Sequence, residues 1–185
     1  KKLFTILLAC IATMTFAQEE PGTFDTIFGT EGTYRFAPSK SHDFIASVLV
    51  REDGKLVTVG RSRTDGSSYA IYVSVHNSDG TLDTSYGENG YKYMKVREGI
   101  YMNYAQKAVL SNDGLLYIAG HTFDEKNNTA FVICLDENGY EFPDFGDNGV
   151  VETEYGKGVV YETLDVDSHG RVVVAGYLND TLLVR

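Results

Sequence analysis

The chain has 185 residues, of which 43% are hydrophobic and 23% are charged, with 19 glycines and three prolines. These proportions are those of an ordinary globular protein and exclude a wholly disordered or collagen-like chain. The 26 acidic and 16 basic residues give a net charge of −10. This charge argues against binding to nucleic acid or to an anionic membrane surface, because both need clustered lysine and arginine.

Residues 1–17 predict a secretory signal peptide. Lys1 and Lys2 precede an uncharged apolar run, and Thr-Phe-Ala at 15–17 provides a cleavage site with alternating small residues. The run holds about 15 residues, fewer than the roughly 20 that a transmembrane helix needs. We therefore expect a secreted or cell-surface protein, with the periplasm also open, and no membrane span in the mature chain. A lipoprotein signal is the alternative, because residues 7–10 (Leu-Leu-Ala-Cys) resemble a lipobox.

Cysteine usage fits an extracellular domain that is stable without cross-links. Cleavage after Ala17 would remove Cys10 and leave Cys134 as the only thiol. A single thiol allows no internal disulfide, so packing must supply the stability. Cys134 lies in an apolar alternating stretch, matched in the repeat described below with Ser74, and we expect it to be an inert core thiol.

Three landmarks recur in the same order after a short linker at 18–21. The first is an aromatic-Gly turn, and its three copies, spaced by 58 and 59 residues, lie at 28–32, 86–90 and 145–149. The second is an apolar run with a tight turn in its middle, which ends at Gly60, Gly120 or Gly176. The third is an alternating strand that starts at Ala70, Ala130 or Thr181. Three landmarks at one spacing predict a repeat protein.

Each repeat predicts four antiparallel strands, because its apolar residues alternate with period two and no helical period occurs in the mature chain. In the first full repeat we expect strands at 44–51, 55–61, 69–77 and 91–96. Over the whole chain we expect an orphan outer strand within 22–36 (Thr33 to Phe36), a first blade at 42–97, a second at 102–155 and a partial third at 159–185. The fold class is therefore all-β, a β-propeller of four-stranded antiparallel blades of which about three are present.

Glycines mark the turns and strand ends of the repeat at fixed positions. Asp53-Gly54 is a hairpin turn of the kind that favours a positive φ angle. We expect structural roles in turns for Gly29, Gly32, Gly54, Gly60, Gly87, Gly90, Gly114, Gly120, Gly146, Gly149, Gly170 and Gly176.

The segment Asp79-Gly80-Thr81-Leu82-Asp83-Thr84-Ser85-Tyr86-Gly87, together with the apolar run that ends in Lys-Leu-Val-Thr-Val-Gly60, resembles the delta-60 repeat family. The resemblance covers about residues 22–185 and implies a secreted bacterial protein whose repeats build propeller blades. The third turn departs from the pattern, since Phe142-Pro143-Asp144-Phe145 has no aspartate where Asp25 and Asp83 stand.

The two ends of the repeat region predict an incomplete ring. The chain begins with an outer strand that has no blade of its own and ends with a blade that lacks its outer strand. In a propeller, an N-terminal outer strand of this kind can complete the last blade and so close the ring. Propellers typically contain about 4–8 blades, and three left open would expose sheet edges and apolar faces to water. We therefore expect an N-terminal portion of a longer protein, with the remaining blades closing the ring. A short chain that closes its ring by oligomerisation is the alternative.

No metal or cofactor site is predicted. None of the Asp/Asn/Gly clusters has calcium-loop spacing, and Asp165 to Gly170, the nearest, has Gly176 where the loop needs glutamate. The four histidines, His42, His76, His121 and His169, occupy different repeat positions without zinc spacing. His121 matches Arg61 and Tyr177, and His76 matches Asp136, so we interpret these as variable surface positions. No nucleotide-binding or nucleophile motif is present.

Two carboxylates break the rule of the repeat. Asp165 stands where the other copies have Leu49 and Val109, and Glu162 stands where they have Ala46 and Gln106. Because functional residues often depart from a local pattern, both are weak ligand-site candidates, the other explanation being solvation near an unfinished edge. Three positions apart on a strand they point to opposite faces and cannot form one catalytic pair.

We expect a binding or scaffold module without catalytic activity, whose partner is an extracellular protein or glycan. The alternative is a propeller hydrolase acting on extracellular glycans, with part of its catalytic carboxylates in blades outside this chain. Asn127-Asn128-Thr129 and Asn179-Asp180-Thr181 match the N-glycosylation pattern, which means little if the signal peptide is bacterial.

Overall fold

The computed structural model describes residues 22–39, 41–64, 66, 68–97, 99–124, 128–154 and 158–185. The predicted signal peptide, the linker and Asn127 of the first glycosylation pattern lie outside these residues. The described part is all-β, as predicted, and none of it forms a helix long and apolar enough to cross a membrane. Its strands are β1 Asp43–Val50, β2 Leu56–Arg63, β3 Tyr69–His76, β4 Tyr91–Met94, β5 Met102–Leu110, β6 Leu116–Phe123, β7 Asn128–Leu135, β8 Val150–Thr153, β9 Val159–Val166, β10 Val172–Leu178 and β11 Thr181–Val184.

Consecutive strands pair antiparallel in three units. Unit 1 is β1–β4, unit 2 is β5–β8, and unit 3 is β9–β11. One parallel bridge, between Tyr69 and Met102, joins units 1 and 2 into a single sheet, while unit 3 is a separate sheet. The strands of unit 1 begin and end within two residues of the bounds expected from the sequence.

The aromatic-Gly turn has the same backbone in all three copies. Its fourth residue is Glu31, Asn89 or Asn148, with φ of 51°, 57° and 49°. The fifth is a glycine in the left-handed region that bulky residues avoid. The aromatic rings of the first two turns each reach a glycine turn of the next repeat. A Cβ at Gly80 would collide with the Phe28 ring, and a Cβ at Gly139 would collide with the Tyr86 side chain. These contacts of the aromatic rings join neighbouring repeats.

A β-bulge marks the first strand of every unit. Ala46, Gln106 and Glu162 are the extra residues in β1, β5 and β9. Beside each bulge lies a glycine of the second strand whose missing side chain permits close backbone approach. A Cβ at Gly60, Gly120 or Gly176 would overlap the carbonyl oxygen of Phe44, Tyr104 or Val160 respectively. The expected turn role of Gly60, Gly120 and Gly176 was therefore wrong: they lie inside β2, β6 and β10, where packing across the strand pair requires glycine.

Side chains of opposite strand faces fill two separate cores. We call the face of a unit directed toward the preceding residues its incoming face, and the face directed toward the next unit its outgoing face. The outgoing face of unit 1 and the incoming face of unit 2 form the first core, centred on Val59, Val73, Ile118, Phe131 and Ile133. The outgoing face of unit 2 and the incoming face of unit 3 form the second, centred on Ala119, Val132, Cys134, Tyr161 and Leu164. Unit 2 is therefore covered on both faces.

The orphan outer strand expected at 33–36 is not formed in the structure. Thr33 makes only isolated bridges with Gly29 and Thr30, and the following residues belong to no strand. The equivalent β4 and β8 each pair with the third strand of their own unit. Among the described residues no third strand precedes 33–36, and these residues pair with no strand edge.

The sequence match along the third strands was wrong by one residue. Strand register places Ser74 opposite Thr58 and Cys134 opposite Tyr117. Aligning the units on Gly60 and Gly120 makes Cys134 equivalent to Val75, Ser74 to Ile133 and His76 to Leu135. A one-residue slip exchanges the two faces of a strand, so this correction decides which residues of each unit meet its neighbours.

Candidate functional site

An arginine held between two aromatic rings lies where units 1 and 2 meet. The Arg61 guanidinium carbon is 4.7 Å from the centroid of the Phe44 ring and 4.4 Å from that of the Tyr104 ring. Tyr69 lies against both rings, with centroid distances of 6.3 Å to Phe44 and 5.7 Å to Tyr104. We call Phe44, Arg61, Tyr69 and Tyr104 the aromatic–arginine cluster. Its geometry combines cation–π attraction with flat apolar surface.

Buried hydrogen bonds fix the frame around this cluster. The fully buried Asn103 side chain donates to the Tyr69 carbonyl at 3.2 Å and to the Ile100 carbonyl at 3.3 Å, and it accepts from the Val96 amide at 3.0 Å. The Tyr104 hydroxyl donates to the Met102 sulfur at 3.0 Å. Because these contacts span β3, β5 and the residues after β4, two of the three rings sit on a rigid scaffold.

The His121 ring packs against the Tyr104 ring of the cluster. Its ring is 5.3 Å from Tyr104 in an edge-on arrangement, and it is 9% exposed. Burial, with a smaller contribution from the Arg61 charge, lowers the pKa of His121 to about 4. The ring is thus neutral at pH 7, and its Nδ1 atom has no hydrogen-bond partner among the described residues.

The cluster occurs at one of the two equivalent junctions. By strand register, Phe44, Arg61 and Tyr69 correspond to Tyr104, His121 and Asn128 in unit 2, and Tyr104 corresponds to Val160 in unit 3. The junction of units 2 and 3 thus lacks the arginine and two of the three rings. A departure from the rule of the repeat at one junction is the pattern expected of a functional site.

Sequence reasoning missed this cluster because its members come from three strands of unit 1 and one of unit 2. Only the interpretation of position 121, matched with Arg61 and Tyr177, touched on it. That interpretation was wrong about exposure: His76 and His121 are buried, whereas His42 and His169 are exposed. The signal available in the sequence was the arginine at a position where the other copies have His121 and Tyr177.

A second polar group, on the incoming face of unit 1, is structural. His76 Nδ1 lies 3.1 Å from the Gly80 carbonyl, so Nδ1 carries the proton, and Nε2 accepts from the Ser74 hydroxyl at 2.9 Å. The Thr58 hydroxyl is 2.6 Å from that of Ser74. Although a serine bound to histidine is the arrangement of a nucleophile, Ser74 is fully buried and the rings of Tyr34 and Phe36 lie against His76. A substrate has no path to it.

The two carboxylates singled out by the sequence are not brought into a site. Glu162 is the bulge residue of β9, and Asp165 lies opposite Val173. Both side chains are exposed. Asp165 accepts a hydrogen bond from the adjacent Val166 amide at 2.8 Å. Both carboxylates therefore stand in solvent, and a ligand role for them stays a prediction.

The hairpin turns of units 1 and 2 enclose a groove of about 570 Å³ at the opposite end of the sheets, lined by residues 50–53, 110–115, Asp136 and Glu137. Arg51 lies in it and pairs with Asp53 at 3.5 Å and Glu137 at 4.0 Å. In the part of the chain that the structure describes, no three acidic, histidine or cysteine side chains are arranged to hold a metal. The groove therefore offers exposed ion pairs.

Cys134 is buried and free, as predicted. Burial raises the pKa of its thiol to about 11. Since the thiolate is the reactive form, this environment makes the group inert.

Comparison with protein-family models finds no match to this chain, and comparison with curated proteins finds none either. The resemblance to delta-60 repeats stays a prediction, and the functional argument depends on the geometry of the chain itself.

Proposed function

We propose that this chain is part of a secreted β-propeller that serves as a binding or scaffold module, with units 1–3 as consecutive blades. The observation that carries the proposal is the same face-to-face contact made twice, between units 1 and 2 and between units 2 and 3. The first strands β1, β5 and β9 lie side by side along these contacts. In a propeller such strands surround the central channel.

Unit 3 supports the proposal through the face that it leaves open. Val173, Leu182 and Val184 are 40%, 90% and 71% exposed. Their equivalents in unit 2 are Tyr117, Ala130 and Val132, all buried in the second core. Apolar residues at positions that are covered in both other units fit a blade that receives a further blade.

Unit 1 has a matching open face on its first strand. Ile45 and Val48 are 62% and 58% exposed, whereas the equivalent Ala105 and Ala108 of unit 2 are buried. Residues 33–36 would supply the outer strand of a closing blade, the role that β4 and β8 have in their own units. Further blades between the two open faces would bury both and complete the ring.

The aromatic–arginine cluster supports a binding rather than a catalytic role. It places rings and a cation at one end of the sheets, a composition that recognises a ligand by stacking and by charge. Together with the predicted signal peptide, this favours an extracellular module that captures a ligand.

Whether the open face of unit 3 receives a further unit can be tested by adding one to the chain. Arg185 is equivalent to Ile133, so appending the chain's own residues 134–185 after Arg185 continues the repeat in phase. We expect maleimide labelling of Leu182→Cys to slow at least tenfold in the extended chain, because the added unit covers that face. Both chains carry Cys10→Ser, and the appended copy has valine in place of Cys134.

Tyr140→Cys is the matched control, since Tyr140 is 66% exposed on a turn away from the open face, and its labelling should be equal in the two chains. An extended chain that is folded by circular dichroism but labels Leu182→Cys at the original rate would refute blade stacking.

A further inference from the structure

Arg61 has no ion-pair partner among the described residues of this acidic protein. Among the described residues, Arg51, Lys55, Lys92, Arg97 and Arg171 take part in ion pairs. Arg61 does not, a property that it shares with Arg35, Arg63, Lys95 and Lys107. Its guanidinium is half-buried between two rings rather than extended into solvent. Both rings lie within cation–π distance of the guanidinium carbon and restrict the position of the side chain. An arginine fixed in this way is prepared to meet an anion.

We propose that the aromatic–arginine cluster binds the carboxylate of an acidic saccharide, a uronic-acid sugar. The planar fork of arginine matches a carboxylate with two parallel hydrogen bonds. Stacking between Phe44 and Tyr104 restricts the side chain beforehand, so little rotamer entropy is lost on binding. The inference rests on the proposed binding function and names its ligand class, but it does not depend on closure of a ring.

The rings beside the arginine favour a sugar over a free anion. Phe44 is 45% exposed, and its neighbours Tyr69 and Tyr104 extend the same apolar surface. The C–H groups of a sugar ring carry partial positive charge and pack against the negative face of an aromatic ring. One charged group and several rings are the composition of a small-ligand site that fixes orientation by a few polar contacts.

The net charge of −10 gives the proposal a further constraint. A strongly acidic protein repels polyanions at long range, so an acidic saccharide would not be captured by the surface in general. Binding of an acidic saccharide therefore has to come from this cluster, and single substitutions in the cluster should remove that binding.

The test is calorimetric titration of the full chain with trigalacturonate, with the neutral galactose trisaccharide as the matched ligand. We expect trigalacturonate to bind at least tenfold more tightly than the neutral sugar. Arg61→Lys keeps the charge but loses the fork and should weaken trigalacturonate at least tenfold. Tyr104→Leu should weaken both sugars. The control Arg171→Lys, at an exposed hairpin turn, should change neither, and circular dichroism confirms folding of each variant.

Equal binding of the two sugars, or equal affinity of Arg61→Lys, would overturn the role of the carboxylate. Tighter binding of an acidic hexapeptide than of trigalacturonate would assign the site to peptides and refute the saccharide class. No binding of any of these probes refutes the inference. Since the labelling of Leu182→Cys reports on blade stacking alone, failure here leaves that result unchanged and the two proposals are judged separately.

Discussion

The incoming faces of units 1 and 2 have the same backbone and opposite chemistry. Unit 2 presents Ile118, Ile133 and Leu135 to unit 1, and all are buried in the first core. Unit 1 has Thr58, Ser74 and His76 at the same positions, joined by hydrogen bonds. The rings of Tyr34 and Phe36 cover His76 in place of another unit. The incoming face of unit 2 is buried against a repeat. On the incoming face of unit 1 the N-terminal segment covers the polar group at His76 and leaves Ile45 and Val48 exposed.

Transferring one residue of unit 1 into unit 2 should have the largest effect. Ile133→Ser removes a buried side chain and places a hydroxyl in an apolar core without the partners that Ser74 has. We expect the free energy of unfolding to fall by about 4 kcal/mol, measured by urea denaturation. The control Ile27→Ser, at a position 82% exposed, should change it by less than about 0.5 kcal/mol. A similar loss in both variants would mean that Ile133 is not at an interface.

The junctions also differ in their response to pH, because His121 stands where unit 1 has Arg61. With its pKa lowered to about 4 by burial, folded His121 stays neutral while the unfolded chain takes up a proton below about pH 6.5. Stability should therefore fall by about 3 kcal/mol between pH 6.5 and pH 4. His121→Gln should flatten this part of the pH profile in urea denaturation, and an unchanged slope would contradict the burial of the ring.

The smallest expected effect concerns the attachment of the N-terminal segment to unit 1. The Tyr93 hydroxyl donates to the Pro38 carbonyl at 2.6 Å. Tyr93→Phe should lower the free energy of unfolding by about 1 kcal/mol, and it should increase hydrogen exchange in residues 33–39. Tyr101→Phe, at a position 63% exposed, is the control with no expected change. If Tyr93→Phe leaves both quantities unaltered, the segment does not depend on this contact.

Local signals predicted most of the strands and turns. The alternation of apolar residues and the placement of glycines in turns depend on residues close together in the sequence. The repeat shows both patterns in three copies. The strand expected at 33–36 is not formed among the described residues, because a strand also needs a partner, which local sequence does not specify. The match of Cys134 to Ser74 was wrong because both faces of β7 are apolar and alternation alone gives no register.

The candidate site could not be predicted in the same way. Phe44, Arg61, Tyr69 and Tyr104 lie up to 60 positions apart in sequence, and only the packing of β5 against unit 1 brings them together. The burial of His76 and His121 likewise depends on neighbouring elements rather than on their own strands. By contrast, Glu162 and Asp165 departed from the repeat in sequence but stand in solvent, so a departure marks a site only where packing gathers other groups around it.

Hydrogen–deuterium exchange of the full chain, read strand by strand, tests the central claim most directly. The claim is that the outgoing face buried in unit 2 stands open in unit 3. We predict that amides of β7, covered on both faces, exchange at least about a hundredfold more slowly than those of β11. Equal protection of β7 and β11 in a monomer would show that the face of Leu182 and Val184 is already covered, and would contradict the account.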